Sequence, residues 1–115
     1  MTKQQLKKIE ITCETKGRLV YATPKSNSVY SHGPWLVIIS HIKTDKKNNL
    51  LVIRHASYSF LTGIDYVDCD ANAQWGLVSH YDFYEPSEEH IELMRKILKK
   101  RGYKYVKGIN KMFKR

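Results

Sequence analysis

Much of the first eighty residues falls into short runs of alternating, β-branched or aromatic positions, the pattern of strands that bury one face or both. "KIEITCE" (8–14) alternates, and "KGRLVYAT" (16–23) follows a Lys-Gly turn. "PWLVIISHIK" (34–43) and "NLLVIRHASYSF" (49–60) are rich in β-branched and aromatic residues, which suit a pleated, partly buried surface. In "HGPWLVIISH" (32–41) the four aliphatics Leu36 to Ile39 occupy both faces, so this strand is expected at the buried centre of a small sheet. The polar loop "TDKKNN" (44–49) predicts an antiparallel hairpin. Its register is open: with a loop centred between Lys46 and Lys47, His41 shares a face with Arg54, whereas a one-residue slip pairs it with His55 instead. "IDYVD" (64–68) and "WGLVSHYDFY" (75–84) supply one or two further strands.

The period changes at "PSEEHIELMRKILKKRG" (86–102). Ser87 suits an N-cap, Glu88 and Glu89 suit the first turn, cations fill the last turn, and Gly102 follows the end. A helix from about Ser87 to Arg101 is predicted, with Ile91, Met94, Ile97, Leu98 and Arg101 at helical spacing. That stripe should bury against the sheet, so Met94 reads as core. "YKYVKGINKMF" (103–113) then reads as a short strand, a turn at Gly108 to Asn110 and a last apolar pair, Met112 and Phe113. The expected fold is α+β, mainly β: a curved antiparallel sheet of five or six strands, partly closed into a barrel, with one C-terminal helix. With 115 residues, no internal repeat and no long linker, a single domain over 1–115 is expected.

Composition adds limits. The chain is 42% hydrophobic with eight tyrosines and two tryptophans, a globular balance. Cys13 and Cys69 form no CxxC pair, which points to reduced thiols in a cytoplasmic protein. "MTKQQLKKIEITC" has no apolar signal core, and no apolar run approaches bilayer length, so neither secretion nor membrane insertion is expected. "DCDAN" (68–72) begins like a calcium loop but lacks the sixth-position glycine and the twelfth-position glutamate, so no metal is assigned. "FLTGIDYVD" (60–68) lacks the register of the LAGLIDADG endonuclease motif. Gly-rich phosphate loops, HExxH and nucleophile elbows are missing, which removes nucleotide hydrolysis, zinc proteolysis and serine-hydrolase chemistry from the leading options; no cofactor is expected.

Charge changes the picture most. The net +9 divides into +7 over residues 1–54, −8 over 55–94 and +10 over 95–115. Such separation suggests a basic face for a polyanion and an acidic segment that covers part of it or meets another partner. Lys99, Lys100, Arg101, Lys104 and Lys107 are the candidate phosphate contacts. Tyr103 and Tyr105 are available either to stack on unpaired bases or to pack beneath the helix.

The run "KGRLVYATPKSNSVYSHGPWLVIISHIKTDKKNNLLVIRHAS" (16–57) resembles the N-terminal half of MazF/PemK-type toxins over rather more than a third of the chain. Lys16-Gly17 matches the family's strand opening, Pro34 its proline, "LVIIS" and "LLVI" its aliphatic strands, and Ser57 the hydroxyl ending the second. The resemblance implies an SH3-like barrel, often a homodimer, that cuts single-stranded RNA without a metal and is held inactive by a protein antitoxin. One departure stands out: Gly33 replaces the arginine that the family places before the proline and uses in catalysis. Metal-free RNA cleavage needs a base, an acid and a cation for the phosphorane charge. His32 and His55 are candidates for the first two, Arg54 for the third, with the Ser57 hydroxyl beside them. Two functions follow: a divergent endoribonuclease, favoured by the His/Arg/Ser group, or a non-catalytic binding module of a mobile element or phage directed at a host protein or nucleic acid, favoured by Gly33.

Overall fold

The long alternating runs pair side by side because each exposes an unfilled ladder that only another strand can satisfy. The computed structural model describes residues 6–25, 33–68, 73–106 and 111–114. Its strands are β1 (Lys8–Ile9), β2 (Leu19–Pro24), β3 (Trp35–Thr44), β4 (Leu50–Ser59), β5 (Asp65–Val67), β6 (Ala73–Leu77), β7 (Tyr81–Tyr84), β8 (Tyr103–Val106) and β9 (Lys111–Lys114), with one helix, α1 (Glu88–Lys100), before β8. The first seven form one antiparallel sheet in the order β1-β7-β2-β3-β4, and the outer edge of β4 is shared by β5 and β6. β8 and β9 form a separate hairpin. The α+β, mainly β class read from the sequence holds, with seven strands in the sheet where five or six were expected.

Two differences have local causes. "KIEITCE" is a strand only at Lys8–Ile9, because a turn follows in which Thr15 N–H donates to Thr12 O at 3.0 Å and Thr12 N–H to Thr15 Oγ1 at 3.1 Å. The last apolar pair is not a loose end. Met112 lies opposite Tyr105 and Phe113 opposite Lys104, so the segment gains a ladder.

Both faces of the central strands are covered. Val20, Ala22, Val37, Ile39, Ile42 and Val52 pack on one side with Tyr81 and Phe83. There β6 curls over until Trp75 stands 4.3 Å from the Tyr81 ring, bringing opposite arms of the sheet together. On the other side Leu19, Leu36, Ile38 and Ala56 meet Ile91, Met94, Ile97 and Leu98 of α1, and Tyr105 of β8. The expected helical stripe is buried, Arg101 excepted. Ser87 caps α1 by accepting from His90 N–H, and the His90 ring accepts from Ser87 N–H, each at 3.1 Å.

The β3–β4 hairpin decides where a site can form. Asp45 Oδ1 accepts from Lys47 N–H (2.8 Å) and Asn49 N–H (2.9 Å), and Asn48 takes a left-handed φ of 63°. Trp35↔Ser59 and Thr44↔Leu50 share a register centred on Lys47, but Ile39 faces Arg54 and His41 faces Ile53. His55 is thus an extra residue in β4 and Ser40 an extra residue in β3, two bulges that cancel. His41 pairs with neither Arg54 nor His55.

Candidate nucleic-acid interface

Cations line two surfaces formed by the described residues. The first follows from the bulges, which sit where the neighbours of both central strands leave. β2 starts at Leu19 opposite Ile38, and β4 exchanges β5, ending at Val67↔Ala56, for β6, beginning at Ala73↔Arg54. The bulged carbonyls are capped locally: Ser40 O accepts from Gly17 N–H at 3.3 Å and His55 O from Asp68 N–H at 2.7 Å. The gap is a cleft of about 490 Å³ lined by Lys16, Gly17, Ser40, His55, Lys111, Met112 and Phe113. His55 is half-buried, and its Nδ1 lies 3.3 Å from the Asp68 carbonyl oxygen. A carbonyl can only accept, so Nδ1 is the donor in this contact, and in the neutral ring Nε2 is then the acceptor.

The second surface is a groove of about 320 Å³ between α1 and β8, lined by Glu92, Arg95, Lys96, Lys99, Tyr103, Lys104 and Tyr105. Positions 92, 95, 96 and 99 form the helical stripe beside the buried one, so folding aligns them along the rim of the core. Arg95 donates to Glu92 at 3.0 Å. Lys96, Lys99 and Lys104 are exposed, and Lys104 Nζ lies 5.8 Å from the Phe113 ring centre.

The residues singled out from the sequence separate. Lys99, Lys104 and Tyr103 line the groove, Lys100 is exposed outside its lining, and Arg101 is bound in an ion pair to Asp65. Tyr105 corrects the stacking reading: it is 4% exposed and its hydroxyl accepts from Leu19 N–H, so it is the floor of the groove and has no open face. Burial pushes its pKa up. His32 and Lys107 lie outside the described residues. Arg95 and Lys96 were missed from the sequence, although helical spacing from Glu92 to Lys99 carried the signal.

Of the proposed catalytic group, Arg54 and Ser57 meet: Arg54 Nη1 donates to the buried Ser57 Oγ at 2.8 Å. The guanidinium lies over the Tyr66 ring, 4.0 Å from its centre. Burial lowers its pKa, with Tyr66 and Asp68 acting in the opposite sense. The cleft lining includes His55 but neither Arg54 nor Ser57. At Gly33 a β-carbon would stand 2.7 Å from Trp35 Cδ1 and 2.8 Å from Pro24 Cδ, so an arginine there needs both rings to move.

Among the described residues no group of three or more His, Cys, Asp or Glu side chains is placed to hold a metal ion. No described helix is long and apolar enough to cross a membrane. Comparison of the chain with family models, curated proteins and solved structures finds no match.

Proposed function

We propose that this protein binds single-stranded nucleic acid, RNA in the first instance, along the groove between α1 and β8. The observation that carries the reading is the set of four cations, Arg95, Lys96, Lys99 and Lys104, brought from two elements around Tyr103. Phosphates spaced along a flexible strand suit such a row, and a half-exposed ring beside it offers a base a surface to stack on. The test is fluorescence anisotropy with a labelled single-stranded RNA and a duplex of the same sequence, at several salt concentrations. Preference for the single strand, with affinity that falls steeply with salt and falls again in Lys99→Ala/Lys104→Ala, is the expected result. Equal affinity in that variant, or none of the salt dependence that counterion release demands, refutes it.

A second reading is cleavage of the bound RNA by a divergent MazF/PemK-like endoribonuclease, favoured by one further observation: Arg54 and Ser57 lie within hydrogen-bond distance of each other. On that reading a protein antitoxin or a second copy of the chain is a partner. Against it stand the crowding at Gly33 and the separation of His55 from that pair. Incubation with a mixed RNA substrate in EDTA, followed by electrophoresis, separates the readings: intact RNA leaves the binding module.

A further inference from the structure

We propose that the cleft at the paired bulges is a binding site for a nucleoside monophosphate, separate from the α1/β8 groove. Three features of its wall have to be met by one ligand. Lys16 and Lys111 reach it from opposite ends of the chain, both are exposed, and neither is in an ion pair among the described residues. Among the described residues no carboxylate belongs to the lining, and the two lysines suit an anion. Met112 and Phe113 add an apolar wall that inorganic phosphate cannot use. His55 donates from Nδ1 to the Asp68 carbonyl, and its neutral ring leaves Nε2 as an acceptor for a ligand hydroxyl.

A phosphate for the lysines, a base for the apolar wall and a ribose hydroxyl for His55 occur together in a nucleoside monophosphate. A fatty acid lacks the donor and a sugar phosphate lacks the flat apolar part. The cleft volume of about 490 Å³ lies in the ordinary range of small-ligand sites. Ser40 Oγ is already within 2.9 Å of His41 Nδ1, so its part is to shape the wall. The same chemistry has two sources, a free mononucleotide and the phosphorylated end of an RNA strand.

Isothermal titration of the full chain with AMP, UMP, adenosine, uridine and inorganic phosphate tests the site. The mononucleotides should bind at least about tenfold more tightly than either the nucleosides or phosphate alone. Lys16→Ala/Lys111→Ala should remove that advantage, and His55→Ala should weaken mononucleotides more than it weakens phosphate. Lys96→Ala/Lys99→Ala, confined to the groove, should leave mononucleotide binding unchanged, so the cleft and the groove stand or fall separately. A short oligonucleotide bound more tightly with a terminal phosphate than without one, and more tightly than the mononucleotide, assigns the site to RNA ends; equal affinity of mononucleotide and phosphorylated strand assigns it to the free nucleotide. Mononucleotides that bind no better than nucleosides, or as well to the double lysine variant as to the wild type, overturn the proposal. The lysines are exposed, and unchanged thermal melting of their variant will show that a loss is local.

Discussion

The hydroxyl of Tyr105 accepts a hydrogen bond of 3.0 Å from the backbone N–H of Leu19, joining the last hairpin to the start of β2. Tyr105→Phe leaves that N–H buried without this partner. The expected loss is about 1–3 kcal/mol of folding stability, the cost of an unsatisfied buried donor, read as a lower urea midpoint with an unchanged slope. No loss would mean that the bond is replaced by water.

Gly33 is expected to tolerate no side chain. Gly33→Ala forces a β-carbon against Trp35 and Pro24 and should cost about 1–3 kcal/mol, the usual range for overpacking. Gly33→Arg should be no more stable than Gly33→Ala in thermal melting. A variant as stable as wild type would show that the two rings give way freely.

Stability should fall as the solution is acidified, because of His90. Its Nδ1 accepts from Ser87 N–H, its ring stacks on Tyr21 at 4.5 Å, and burial lowers its pKa below the ordinary 6.5, opposed by Glu89. The unfolded chain therefore takes up the proton first. The contribution is complete above about pH 6.5 and is lost as pH falls from there through the lower folded-state value. His90→Gln keeps an acceptor at the third helical position and has no proton to gain, so urea midpoints of this variant should change less between about pH 7.5 and about pH 5.5 than those of the wild type.

Groove binding should obey counterion arithmetic. If Lys99 and Lys104 each meet a phosphate, each alanine variant should flatten the plot of log affinity against log salt by about 0.7 for a single strand. Lys100→Ala, outside the groove lining, should leave the slope unchanged, and a change as large as that of Lys99→Ala would place the strand elsewhere.

Much of the fold was legible because its elements carry strong local signals. Ser87 with Glu88 and Glu89 announced α1, and the alternation in β2 and the β-branched runs in β3 and β4 announced the hairpin. The paired bulges were not legible. Leu36 to Ile39 are apolar on both faces, so the run has no phase from which a slip can be seen. The groove was half visible: the sequence set Tyr103 and Tyr105 among the cations and left stacking and packing both open, but no local signal said that α1 covers Tyr105. The cleft depends on β9 returning beside the Lys16-Gly17 turn, a contact between chain ends that no local pattern encodes.

The two bulges also determine which changes the hairpin could survive in evolution. Loss of Ser40 alone would keep every pair of the ladder, Ile42 with Val52 included, and leave one bulge at His55; loss of His55 alone would leave one at Ser40. Loss of both would leave Ile39, His41 and Ile42 in continuous alternation against Arg54, Ile53 and Val52, with every core residue on the face it now occupies. The cleft wall therefore rests on two residues that the ladder itself does not need, so the site can change there while the core of the hairpin stays as it is.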